Sequence, residues 1–427
     1  MHPVLFRLTL PWLGEVPIYT WGVMLGVSLI VGWYLTLGRA KADGFPREML
    51  ANAYVITALA ALVGARLLFV VTNPDAFESA SVFELRSGGM VAYGGFLGGF
   101  LASLVYMRWK RFPLLAWGDI GVLSLASGLF FTRIGCYLYG CDFGRRLGDG
   151  APPWLQKIGT FPHWPEGTVQ GGDGSEAWAH HIESGFIPPD GEASLPVHPT
   201  QLYEAAIGLG LLVLLLWLRG HQRFRGQIFL SFVFLYGFAR FALELVRDDA
   251  HRGSVPPSLP AHLLLAGAFA LFAVAFAAGI APAIESKSLR IAAQVAFFAV
   301  PVLAFLGLRP EAYALAPEAK LSTSQFLGLA TAGAAAWAYS VFRKAALANP
   351  AAAMAPIVWS EPGEQAAAAD EQAPQEPPSG EGEDEPKSEP PAAEPTPDAA
   401  ESPEPPDEPG NEDKPKKKRK KRKKAVA

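Results

Sequence analysis

Nine runs of about 20 apolar residues follow one another along this chain, at 18–38, 50–73, 89–107, 114–139, 201–218, 227–246, 260–280, 289–308 and 322–342. A run of that length crosses a hydrocarbon layer of roughly 30 Å as one helix. The fold expected is therefore all-α: a polytopic integral membrane protein with about nine transmembrane helices. Half of the 427 residues are hydrophobic, and the polar ones gather in the C-terminal eighty or so, which makes the rest more apolar still. The net charge of −4 averages over very unequal regions and decides little. The first run lacks a basic leader and a small-residue cleavage site, so it reads as a span rather than a signal peptide.

Loop charges set the orientation. Arg39, Lys41 and Arg47 follow the first run, Arg108, Lys110 and Arg111 the third, and Arg219, Arg223 and Arg225 the fifth. The loops between them, 75–84 and 141–197, are acidic or mixed. Basic loops stay in the cytoplasm, so the N-terminus is expected outside and the C-terminus, after nine crossings, inside.

Charges also lie within the runs. Arg66 follows LANAYVITALAALVGA, Arg133 interrupts GVLSLASGLFFTRIGCYLYG, and Arg240 interrupts IFLSFVFLYGFARFALELV, with Glu244 and Arg247 after it. Such charges cost a few kcal/mol to insert and usually face a polar interior that performs a function. In the expected topology all three arginines fall past the midpoint of outward-running helices. Tyr93, in GGMVAYGGFLGG, and His198, in HPTQLYE, reach the same outer half. Cations that converge in lipid call for an anion, and a lipid phosphate is the nearest one.

Each feature has a plainer explanation. Arg240, Glu244 and Arg247 share one helical face and would neutralise each other in part, but two arginines against one glutamate leave a positive charge for a ligand. Arginine suits phosphate because its planar fork bonds it bidentately. Gly94, Gly95, Gly98 and Gly99 are read as a close-packing face. Tyr93 is either an interfacial aromatic or a proton-transfer group. Gln201 and Glu204 share a helix face, which capping or interhelical bonding would explain. Cys136 and Cys141, the only cysteines, lack a ligand set for a metal; a disulfide between them requires the helix to end by Gly140.

GGMVAYGGFLGG, TRIGCYLYGCDFGR, HPTQLYE and YGFARFALELVRDD, in this order, resemble the prolipoprotein diacylglyceryl transferase family over roughly residues 15–280. The resemblance implies a bacterial inner-membrane enzyme that moves the diacylglyceryl group of phosphatidylglycerol onto the lipobox cysteine of exported prolipoproteins. Glycerol 1-phosphate leaves, and neither metal nor soluble cofactor is implied. Arg133 matches the family's phosphatidylglycerol-binding arginine, and Arg240 its later essential arginine. With Tyr93 they make the expected catalytic set. Arg66, His198, Gln201, Glu204, Tyr236, Glu244 and Arg247, alongside Arg133, make the substrate-binding set. The chain departs from the family where histidine often replaces Tyr93, asparagine replaces Cys136, an acid replaces Cys141, and tyrosine replaces Trp21.

Around this core (1–280, with 141–197 as an outer loop or arm) lie two additional spans (281–345) and a tail from 346 to 427, read as disordered from its Ala/Pro/Glu composition. The tail ends in KPKKKRKKRKK, ten basic residues in eleven, a block suited to anionic lipid or nucleic acid. Two other classes would also place charge in lipid. A transporter needs polar groups reaching both faces, whereas these gather on the outer side. A divergent or inactive paralogue would hold lipid as a scaffold without chemistry.

Overall fold

The computed structural model describes all residues except 13, 74–88, 166–167, 169–173, 249–252, 309–317 and 361–427. The chain opens with an antiparallel hairpin, β1 (Val4–Leu10) and β2 (Gly14–Tyr19). Four long helices follow: α1 (Thr20–Ala42), α2 (Arg47–Thr72), α3 (Ala92–Trp109) and α4 (Leu114–Tyr139). The arm carries two short helices, α5 (Pro153–Gly159) and α6 (Glu176–Glu183). Then come α7 (Thr200–Arg219) and α8 (Gln227–Leu243), which tightens into a 3-10 turn over Glu244–Val246. Strand β3 (Ser254–Pro260) leads into α9 (Ala261–Ala275), extended by a π turn at Phe276–Ile280. The described chain closes with α10 (Lys287–Leu308), β4 (Glu318–Ser322), α11 (Thr323–Ala348) and the single turn α12 (Pro350–Ala353).

Long helices thus occupy all nine apolar runs. Seven of them are both long and apolar enough to cross a membrane; α3 and α11 are not among these. Glycine in α3, and glycine, serine and threonine in α11, lower hydropathy, while the small residues permit close packing. A Cβ on Gly94 would lie 2.2 Å from the Gly64 carbonyl oxygen, and one on Gly98 2.4 Å from that of Ala60. The α2 and α3 backbones therefore touch, as small residues allow in lipid. Gly95 and Gly99 meet their neighbours only at 3.3 and 3.5 Å, so the tight face belongs to the other pair.

The helices beyond the core pack just as closely. A Cβ on Gly237 of α8 would lie 2.7 Å from the Gly328 carbonyl of α11, and one on Gly279 2.4 Å from that of Ala336. An aromatic layer of Phe234, Phe241, Phe269, Phe272 and Phe276 fills the space between α8, α9 and α11. Composition alone placed residues 346–360 in a disordered tail, but they are ordered. Alanine sustains α11 to Ala348. The Trp359 indole then donates to the Lys110 carbonyl at 2.7 Å, and Ile357 and Trp359 pack beside Phe45, Met49 and Phe112. The remainder of the tail, with its basic block, lies outside the described residues, as does the acidic loop at 75–84.

Candidate functional site

Helix α4 stops where it does because Gly140 takes a left-handed φ of 89°. A side chain there would also strike Trp164 and Ser175, at 2.9 and 3.0 Å. Asp142 follows at φ 58°, which only a few non-glycine residue types tolerate. The turn brings Asp142 back over Arg133. The Asp142 backbone is held on both sides: its N–H donates to Glu176 at 3.1 Å, and its carbonyl accepts from Thr200 at 2.6 Å.

Around this turn a chain of charges runs across four segments. The Tyr236 hydroxyl donates to Glu204 at 3.1 Å. Glu204 pairs with the Arg133 Nε at 2.9 Å, and Arg133 Nη1 reaches Asp142 at 2.5 Å. The other Asp142 oxygen takes Arg247 at 2.6 Å. Arg247 lies 4.0 Å from Glu244, which pairs with Arg240 at 2.6 Å, one helical turn earlier. Glu204 and Glu244 are each 2 % exposed, while Asp142 is 30 % exposed. Asp142 is thus the open side of the network.

Burial alone would raise the Asp142 carboxyl, but Arg133 and Arg247 hold it well below the usual carboxylate range. It is charged at any physiological pH. The positive charge expected to be left over is absent from this network: three arginines face three carboxylates. Counting along the α8 sequence alone misses Glu204 and Asp142, which arrive from α7 and from the turn after α4. Of the two, Asp142 was the residue missed outright. The available signal was the resemblance itself, which puts an acid at position 141; here the acid stands one residue later, where the left-handed backbone re-aims it.

Gln201 is buried against the same turn, its amide N–H₂ donating to the Cys141 carbonyl at 2.5 Å. Its Oε1 has no hydrogen-bond partner among the described residues. Cys136 and Cys141 are free thiols. The helix does end at Gly140, as a disulfide would require, and the two thiols and the Asp142 carboxylate lie within 4.8 Å of one another. The hydrogen bond to Cys136, with burial, pushes the Cys141 thiol up, which disfavours the thiolate that metal binding or oxidation requires.

Three expected members lie elsewhere. Arg66 is buried at the junction of α2 and α3, where it donates to the Gly89 carbonyl at 2.9 Å and its guanidinium lies 5.5 Å from the centre of the Phe69 ring. Tyr93 sits half-buried in the first turn of α3 and makes no hydrogen bond to the network among the described residues. His198 faces Tyr203 at 3.2 Å, and its backbone pairs with Gly144 and Arg145. It holds the arm rather than the charges. The convergence is therefore narrower than topology suggested, because equal depth in a membrane does not make helices neighbours.

A backbone bridge between Gly144 and Arg247 ties the arm to the end of α8, while the bridges Arg146–Val197 and Pro162–Ala193 fold the arm on itself. Inside it, His181 accepts from the Leu195 N–H at 3.1 Å. Burial, with His180 and Arg146 nearby, lowers its pKa to about 4.

Residues 7–282 match the family model described as prolipoprotein diacylglyceryl transferase. The phosphatidylglycerol--prolipoprotein diacylglyceryl transferase of Clostridium tetani is 26% identical over 256 residues, covering 60% of this chain and 88% of its own length. That of Clostridioides difficile is 26% identical over 237 residues, covering 55% and 81%. The second such enzyme of Clostridium perfringens is 27% identical over 249 residues, covering 57% and 85%. The match spans every segment of the charge network, from α4 through the arm to the end of α8, and the chain belongs to the prolipoprotein diacylglyceryl transferase family.

Proposed function

We propose that this protein transfers the diacylglyceryl group of phosphatidylglycerol to the lipobox cysteine of exported prolipoproteins, the first step of lipoprotein maturation, in a bacterial inner membrane. The observation that carries the reading is the buried chain Glu204–Arg133–Asp142–Arg247–Glu244–Arg240, assembled within the region that matches the family. The positive-inside distribution of the loops supports a periplasmic position for this end of the bundle, where exported precursors arrive.

In the reaction the cysteine sulfur attacks C3 of the lipid glycerol. The C3–oxygen bond breaks and glycerol 1-phosphate leaves, while the thiol proton is relayed through the Tyr93 hydroxyl or water to the departing phosphate. Arg133 and Arg240 stabilise the charge growing on the leaving phosphate, a contribution worth about 3–4 kcal/mol per donor in ordered sites. Glu204 and Glu244, both deeply buried, hold the two guanidiniums in place from behind. Asp142 occupies the open side of Arg133, and the incoming phosphate takes over that position. Gln201, Tyr236 and Arg247 serve the lipid-binding surface, whereas Arg66 and His198 support the α2–α3 junction and the arm.

The test is a transfer assay with the purified full-length chain, phosphatidylglycerol vesicles and a lipobox peptide. Diacylglyceryl peptide and glycerol 1-phosphate in equal amounts support the reading. Lipid retained without product, with a serine-for-cysteine peptide behaving like the cysteine one, would instead favour a lipid-holding scaffold.

A further inference from the structure

Helix α11 lies wholly outside residues 7–282, the region that matches the family. It nonetheless reaches the charge network. Arg240 Nη2 donates to the Ser324 hydroxyl at 3.4 Å, from the first turn of α11. That turn is fixed from several directions. Ser322 and Gln325 form a reciprocal capping box, the Thr323 N–H donates to the Gly253 carbonyl at 2.9 Å, and β4 pairs antiparallel with β3 just ahead of it. One helical turn further on, Gly328 and Gly237 bring the α11 and α8 backbones into contact, which sets the depth of Ser324 relative to Arg240. A cavity of about 450 Å³ beside Glu244 is walled by Arg145, Glu244 and Asp248 from the core and by Lys320, Ser322 and Gln325 from the added segment.

We propose that α11 is a working part of the site, with Ser324 a positioning residue that fixes the orientation of the Arg240 guanidinium. A guanidinium paired only with Glu244 retains rotation about its terminal bonds. A second contact at Nη2 from a separate, rigidly capped helix removes that freedom and presents the fork to the headgroup. Preorganisation of this kind acts on the rate, because the donors need no rearrangement when charge develops. The idea rests on the transferase reading for its effect on turnover, but the hold of Ser324 on Arg240 is separable from it.

Two readouts on the full-length protein test it. In the transfer assay, Ser324→Ala should lower kcat by about threefold to tenfold, the range of one hydrogen bond, with little change in KM for the peptide. Ser324→Thr, which keeps the hydroxyl, should restore most of the loss, and Thr323→Ala, at an exposed neighbouring position, should leave kcat unchanged. Independently, labelling of Arg240 by an arginine-specific dicarbonyl reagent, followed by mass spectrometry, should be faster in Ser324→Ala than in the wild type or in Ser324→Thr. Equal labelling of Arg240 in all three proteins would overturn the proposal. Should the wild type transfer nothing, the transferase reading falls, and the labelling still decides whether Ser324 holds Arg240.

Discussion

Two aspartates at opposite ends of helix α4, one buried and one half-exposed, are held in opposite ways. Asp119, fully buried, is satisfied largely by backbone: it accepts from the N–H groups of Gly226, Ile228 and Phe229 at 2.6, 2.9 and 3.0 Å, and from the Gln222 amide at 2.6 Å. It anchors the start of α8 to α4, and Arg219 beside it is tied to Asp43. Asp142 instead gives its side-chain oxygens to the guanidiniums of Arg133 and Arg247 and remains 30 % exposed. Backbone donors cannot leave without unfolding a helix end, whereas side-chain partners at an open face can be exchanged for a ligand. Burial of charge does not by itself distinguish architecture from function; the identity and mobility of the partners does.

The largest predicted effect sharpens this contrast. Arg133→Ala or Arg240→Ala should lower transfer by about two to three orders of magnitude, with membrane insertion intact, read from product formed per folded molecule. Lysine should rescue poorly at either position because it lacks the bidentate fork. Near-normal turnover in either alanine protein would remove the phosphate clamp from the account.

Tyr93→Phe comes next. If the hydroxyl moves the thiol proton, turnover should fall by about a hundredfold, the lower end of acid–base contributions, and Tyr93→His should retain substantial activity. A fully active phenylalanine protein would make Tyr93 an interfacial aromatic and leave the thiol proton to water.

Much of the architecture was legible in the sequence because membrane helices must announce themselves by length and apolarity. The two strand pairs were not, since strands of five to seven residues carry little periodic signal. At the site, Arg133, Arg240, Glu244 and Arg247 stood out because charge inside an apolar run is conspicuous. Asp142 lay just beyond a run, where an acid is ordinary, and only the backbone turn at Gly140 and Asp142 reveals where it points. Ser324 carries no sequence signal of any kind. Trp359 shows the converse: an isolated aromatic in a compositionally disordered stretch can anchor the chain.

Smaller effects probe the regions away from the charges. Between pH 7 and pH 5 the Asp142 pairs should be indifferent to pH, because a carboxylate with a lowered pKa loses its stabilising charge only as pH falls through that depressed value. His181 behaves otherwise. Its pKa of about 4 in the fold lies below the unfolded value near 6.5. The unfolded arm therefore binds more protons between those values, and stability falls as pH drops from about 6.5 toward 4. Hydrogen exchange across 176–197, corrected for intrinsic rates, should show more opening at pH 5 than at pH 7.5; equal protection would show that His181 is not coupled to arm closure. Smallest of all, a chain ending at Ser360 should keep its specific activity in detergent, since Trp359 remains docked on Lys110. Loss of transfer in that protein would mean that the tail takes part in catalysis.

The central claim, that one buried charge cluster works and the other only holds the fold, is tested most directly by measuring kcat per folded molecule for Arg133→Gln and Asp119→Asn side by side. The account predicts that Arg133→Gln folds and loses transfer by at least about a hundredfold. Asp119→Asn should unfold more readily, yet every molecule that remains folded should turn over at the wild-type rate. Wild-type turnover in Arg133→Gln, or a collapse of turnover in well-folded Asp119→Asn, would contradict it.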